Sequence, residues 1–485
     1  MKQEQANQAN NNNIYPIKDL SFLALFALIF GSMMGSGVFD IPQNVAHRAN
    51  SLAVLISWCI TAIGVFSLSW VLIYITIKRP DIKSGIYGYA KHGFGDYIGF
   101  NSAWGYWLNA LLGNASYLIY IFATLGDFAI FKFFGAGNTL ESLYCQSILI
   151  WVIYFIIYKG INVASFINIA ITSIKILALV TVILFFLFYF NYKQFLINLS
   201  STNLTLGSLF IQIKSTMLVT VWDFLGIEAA CIYALRAKNM KDVARATMFG
   251  VGLVFVIDAL LSILPFGIIN ATQISSLSTP STASLLAIIT GNVAIIPSLI
   301  RIAVIVSVAG ALLAWSLLAT NIAYLAASDQ TFPKQYTFTN KNLVPSKALF
   351  LSMITLQVFL IMAHMTNAIY LVMIQLATSL ALIPYILSIL FAIKILYQEK
   401  TFIWSLWFKG LIAIVYGIWL IYAGGIKYLS FASSLACIGI IVYLIARIQY
   451  NRKIFETKFE KFVMLFIVLI TIMANYMLYT ANIKL

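Results

Sequence analysis

Apolar runs of about 20 residues recur along almost the whole chain, and a run of that length crosses the hydrocarbon core of a membrane as a helix. Thirteen are read, at approximately 20 to 44, 52 to 77, 98 to 126, 144 to 158, 163 to 190, 209 to 235, 247 to 270, 299 to 327, 347 to 364, 368 to 394, 403 to 424, 428 to 446 and 461 to 482. The period-two alternation of a membrane barrel is absent, so the expected fold is all-α with about 13 transmembrane helices. Composition excludes a soluble domain: 62% of the residues are hydrophobic and 9% charged, with mean hydropathy +0.94.

A net charge of +15 would suggest nucleic acid in a soluble protein, but in a membrane chain the distribution of Lys and Arg carries the information. With the N-terminus inside, 22 of the 30 Lys and Arg fall on cytoplasmic segments, among them Lys78, Arg79, Lys83, Lys91, Arg236, Lys238, Lys241 and Arg245. The alternation predicts a multi-pass protein of the inner (cytoplasmic) membrane, with the C-terminus outside and no nucleic-acid partner. Residues 1 to 18 are polar and Asn-rich and read as a disordered cytoplasmic tail. The apolar run that follows is too long for a signal peptide. Cys59, Cys145, Cys231 and Cys437 show no metal-ligand spacing, and His47, His92 and His364 sit near span ends as interfacial residues. Neither a disulfide, a metal nor a cofactor is expected.

Two spans carry unusual interiors. The first contains Gly31-Ser-Met-Met-Gly35-Ser36-Gly37-Val-Phe39-Asp40-Ile-Pro42, weak helix formers that argue for local unwinding. Unwound backbone in a membrane must line a cavity or be covered by protein. Gly31 and Gly35 also form a GxxxG spacing that packs two helices closely, so this segment alone leaves both readings open. The sixth span contains Val221-Trp222-Asp223-Phe224-Leu225-Gly226-Ile227-Glu228, with two carboxylates at mid-membrane depth, where ionisable groups are costly and usually functional. These are the first helices of two successive five-helix blocks, and paired interruptions at equivalent places point to an inverted-repeat transporter. The blocks are read as 19–190 and 208–397, followed by three C-terminal helices in 403–485. Amides at one broken end suit a substrate carboxylate and carbonyls at the other suit an ammonium group, which favours amino acids.

Over about residues 17 to 450 the chain resembles the amino acid, polyamine and organocation transporter superfamily, within it the basic amino acid antiporters. The resemblance rests on Gly31 to Asn44, Tyr106-Trp107 through Gly113-Asn114, Trp222 through Glu228 continuing to Thr247, Ala314-Trp315-Ser-Leu-Leu-Ala, Phe332-Pro333-Lys334, and Gln375 through Tyr385. It implies a leucine-transporter-type five-plus-five inverted repeat, with helices 1 and 6 broken, that carries arginine, lysine or ornithine by alternating access. Ser36 and Gly37 match the positions that receive the substrate carboxylate, and the carbonyls of Met33, Trp222 and Leu225 those that receive its amino group. Trp222 would also cover the bound side chain, Trp315 offers a face for a guanidinium, and Tyr106 and Asn114 match third-span residues near the gate and the side-chain end.

Glu228 falls on the family's sixth-span carboxylate, associated with pH sensing; the alternative is a structural carboxylate holding the kinked helix. Lys175 lies about 18 Å into the fifth span, too deep to snorkel. It resembles the fifth-span lysine that takes the place of a cation in sodium-coupled relatives, and it either exchanges a proton or braces spans 1 and 8. The chain departs from the pattern at Asp40 and Asp223, which add negative charge near the breaks, at Asn321 where many exchangers carry Glu, and at Asp258, read as pairing with Lys175 or a neighbouring helix. The competing functions are proton-coupled uptake of one amino acid and a nontransporting sensor. A membrane enzyme lacks support, because no catalytic set or nucleotide-binding loop accompanies the intramembrane charges. The expected partners are the substrate, protons and the lipid bilayer, with the chain a monomer or homodimer.

Overall fold

The computed structural model describes residues 20–82, 84–160, 165–200, 205–234, 237–291, 293, 295–366, 370–399 and 404–480. Lys83, Arg236 and the tail expected over residues 1 to 18 lie outside them. Eighteen α-helices are described. The first span is α1 (Phe22–Met33) and α2 (Gly37–Ala46), followed by α3 (Ser51–Lys78), a short α4 (Gly85–Phe94), α5 (Asp96–Gly126), α6 (Leu140–Tyr158), α7 (Ser165–Phe188) and the short α8 (Tyr192–Ser200). The second half runs through α9 (Leu206–Trp222), α10 (Ala229–Tyr233), α11 (Met240–Ile263), the loop helices α12 (Ala271–Ser275) and α13 (Ser281–Ile289), α14 (Ile295–Ser328), α15 (Ser346–Met365) and α16 (Tyr370–Gln398). The chain ends with α17 (Trp404–Gln449) and α18 (Lys458–Thr480). Helices satisfy every backbone group internally, the condition for crossing lipid.

Eleven helical segments are long and apolar enough to span a membrane, including the broken first one. At 46 residues α17 would be about 69 Å long, twice the hydrocarbon thickness. It breaks at Gly425, whose φ of 75° reverses the chain. The ascending half sets Tyr416 against Gly64 of α3, and the returning half brings Leu435 to Trp104 (2.8 Å) and Arg447 to Asp96 at the start of α5 (2.7 Å). Two spans in α17 and the broken sixth span (α9 and α10) complete the thirteen. Several limits differ from the sequence reading. The sixth span is not a continuous helix over 209 to 235, the seventh begins at Met240, and α4, α12 and α13 are additional, being too short or too polar to register as spans.

The interior is organised around α5, which packs most extensively against α14 and α16. Its apolar window is 94% buried, against 11% for the peripheral α18. The half-helix α9 is clamped to α3 by two hydroxyl pairs, Ser57 with Thr216 and Thr61 with Thr220, both at 2.7 Å. Such bonds between membrane helices contribute about 0.6 kcal/mol each, and they hold the broken end that carries Trp222 and Asp223. Span ends collect charge on one face, where Lys78 meets Glu399 at 3.0 Å and Arg447 bridges Asp96 and Glu456, both at 2.7 Å. The opposite face carries the Arg301–Asp127 pair at 3.0 Å.

Candidate functional site

The two breaks meet in the middle of the bundle. Span 1 leaves helix at Met34, Gly35 and Ser36, and span 6 from Asp223 to Glu228. Their contact depends on Gly226, which has φ +110° and passes so close to α1 that a Cβ would lie 2.5 Å from the Ser32 carbonyl oxygen. The Ser32 hydroxyl donates to the Gly226 carbonyl at 3.0 Å, tying one break to the other. Gly35 is equally crowded by the Tyr117 ring, and Gly113 leaves room for Trp222, whose ring would lie 3.3 Å from an added Cβ.

Every residue expected at the substrate is buried here. Met33, Ser36, Asp40, Tyr106, Asn114, Asp223, Leu225, Lys175 and Glu228 are at most 3% exposed, and Trp222 and Trp315 are 6%. Gly37, also buried, starts α2 with its Cα against both Trp222 and Asp223. The Met33 and Trp222 carbonyls accept from Gly35 and Leu225 at 3.0 Å, which leaves each a second lone pair for an ammonium group. Trp315 lies 6.1 Å from Tyr106, ring to ring, and its indole N–H donates to the Ser32 carbonyl at 3.3 Å. The Asn114 amide donates to Ser316 at 3.0 Å.

Two polar clusters bracket this centre. On one side Ser36 Oγ and the Tyr370 hydroxyl are 2.7 Å apart. Beyond them a cavity of about 480 Å³ opens between α2, the end of α5, the 277–279 loop and the start of α16, with Asp40 and Tyr370 among its lining residues. Asp40 accepts from the Ser281 N–H and from Thr279 Oγ1, both at 2.7 Å, so it caps α13 as it adds charge to this vestibule. Asp127 also lines the vestibule; burial pushes its carboxyl above the usual range against the pull of Arg301. On the other side the Tyr106 and Tyr385 hydroxyls donate to the two oxygens of Glu228, and the Gly226 N–H donates to the second at 3.0 Å. This cluster separates the centre from the face that carries Arg447.

Lys175 reaches the first break, where its ammonium donates to the Met34 carbonyl. The Asp258 considered from sequence makes no hydrogen bond to it. Asp258 is fully buried on α11, within electrostatic reach of Asp223, and its oxygens have no hydrogen-bond partner among the described residues. Asn321 is exposed on α14 and stands apart from the buried cluster. Sequence reasoning gave no role to Tyr370 or Tyr117. Tyr370 begins a span, where an aromatic reads as a membrane-interface residue, and neither Gly35 nor Ser36 signals which distant ring will cover it.

The amino acid permease family model matches residues 20–442. An arginine/ornithine antiporter of Pseudomonas aeruginosa is 39% identical over 470 residues, covering 94% of this chain and 96% of that protein. An arginine/agmatine antiporter of Chlamydia felis is 35% identical over 480 residues, covering 96% and 98%. Among solved structures, an outward-open, substrate-bound sodium-coupled sialic acid symporter superposes with a TM-score of 0.50 at 12% identity, over 84% of this chain and 90% of that one; at that identity the likeness concerns the fold. Broken first and sixth spans in an all-helical bundle, matched over almost its whole length by this family and these relatives, place the chain in the amino acid permease family.

Proposed function

We propose that the chain exchanges cationic amino acids, arginine first and lysine or ornithine next, across the inner (cytoplasmic) membrane by alternating access. The observation that carries this reading is the meeting of the two helix breaks at a buried centre, bracketed by Ser36–Tyr370 on one side and Tyr106–Glu228–Tyr385 on the other. Such a centre can be reached from one face at a time if the brackets open in turn. The α2 N-terminus suits a carboxylate, the carbonyls of Met33, Trp222 and Leu225 an ammonium, and Trp315 a planar guanidinium. The similarity to arginine antiporters supports the same substrate class. In this reading residues 19–190 and 208–397 are the two repeats, and the face of Lys78, Arg79, Lys91 and Arg447 is cytoplasmic, because short basic loops stay inside. The vestibule at Asp40 then opens outward.

Proton-coupled uptake is the second reading, favoured by Lys175 at the break and by the unpartnered Asp258. Uptake of labelled arginine into reconstituted vesicles loaded with ornithine tests the proposal. Lysine and ornithine should compete with arginine, and displacement by leucine or glutamate at equal concentration would overturn the substrate assignment.

A further inference from the structure

The α2 N-terminus already has a carboxyl group against it. Helix α2 is ten residues long, and the first amides of any helix lack intrahelical partners. The carboxyl group of Asp223, which comes from the other break, lies against Gly37, the first residue of α2. Its Oδ1 has no hydrogen-bond partner among the described residues and is pressed against Gly37, where a Cβ would overlap it. Asp223 is 1% exposed, so bulk water does not reach it. A carboxylate at a helix N-terminus is stabilised by the helix dipole and by hydrogen bonds from the amides. A substrate α-carboxylate would seek the same amides for the same reason. The two anions cannot share them, since like charges at hydrogen-bond separation in a buried site repel strongly.

We propose that Asp223 is a tethered occupant of the subsite for the substrate carboxylate, holding α2 in the closed arrangement and leaving it, toward Lys175, when a substrate carboxylate arrives. The proposal rests on the reading of the Ser36–Gly37 turn as the carboxylate subsite. Lys175 is the natural recipient, because its ammonium already sits on the Met34 carbonyl, next to the same turn. Displacement therefore moves Asp223 between two stabilising positions rather than into an apolar surrounding. The consequence is selective. An α-amino acid must evict Asp223, whereas the same side chain on a molecule without the carboxylate need not, and its ammonium gains from Asp223 staying in place.

The test compares arginine with agmatine, which lacks the carboxylate, as competitors for exchange in vesicles that contain wild type, Asp223→Asn or Asp223→Ser. Removing the tethered charge should tighten arginine and weaken agmatine, lowering the ratio of their half-saturating concentrations by about tenfold, the effect of one charge-assisted hydrogen bond at a helix terminus. The ratio cancels changes in the amount of folded carrier, and the serine variant covers poor folding of the asparagine one. If both ligands shift by the same factor, or arginine alone weakens, Asp223 is a general source of potential and the proposal fails while the transport reading stands. A wild type that exchanges no α-amino acid, tested with lysine and ornithine as well, would remove the transport reading and this inference with it.

Discussion

Gly226→Ala is the substitution that most directly probes how the two breaks are held together. Gly226 has φ +110°, and an added Cβ would lie 2.5 Å from the Ser32 carbonyl oxygen, 2.7 Å from its carbon and 3.0 Å from the Met33 nitrogen. All three are backbone atoms, so no side chain can swing away to make room. A left-handed backbone costs an alanine about 1–2 kcal/mol, and forcing a methyl into close-packed surroundings adds about 1–3 kcal/mol. The sum, about 2–5 kcal/mol, can be relieved only by moving α1 away from the second break. That movement lengthens the Ser32–Gly226 hydrogen bond and shifts the carbonyl that Trp315 donates to. The variant should show a lower melting temperature in detergent and little arginine exchange. Gly252→Ala is the control: its Cβ would lie 4.0 Å from its nearest neighbour, Phe66, inside helix α11, where alanine gains up to about 1 kcal/mol. Gly226→Ala with the melting temperature and exchange rate of Gly252→Ala would refute the close approach of the breaks.

Two further substitutions separate recognition from scaffolding. Trp315→Leu should weaken arginine about fivefold more than lysine, because a planar guanidinium stacks on an indole better than an ammonium does; equal losses in competition assays would take Trp315 out of side-chain recognition. Lys175→Ala should lower protein yield and arginine/arginine exchange together, since the ammonium holds the Met34 carbonyl at the first break. Loss of a hydrogen bond from a charged donor costs about 1.5–3 kcal/mol. Wild-type yield and exchange in this variant would refute the bracing role.

The spans were legible because lipid imposes one length and one secondary structure on an apolar run, and the breaks because Gly31 to Gly37 and Trp222 to Glu228 put weak helix formers and carboxylates where lipid tolerates neither. The partners of those residues were not legible. Asp40 reads as a charge near the break, yet its oxygens are taken by Thr279 and Ser281, some 240 residues away and next to a nine-residue helix too short to register as a span. Asp223 reads as added negative potential; its position against Gly37 at the start of α2 follows from the packing of two unwound segments, which no periodicity encodes. Tyr370 and Tyr385 lie on the same helix and serve opposite brackets, a consequence of α16 running the depth of the bundle beside α5.

Exchange through the buried centre is tested by the uptake of labelled arginine into reconstituted vesicles that are either loaded with unlabelled ornithine or left unloaded, at two pH values. Uptake should be rapid into loaded vesicles and slight into unloaded ones, whatever the pH gradient. Equal uptake in both, driven by an inward proton gradient, would contradict exchange and make the chain a proton-coupled importer.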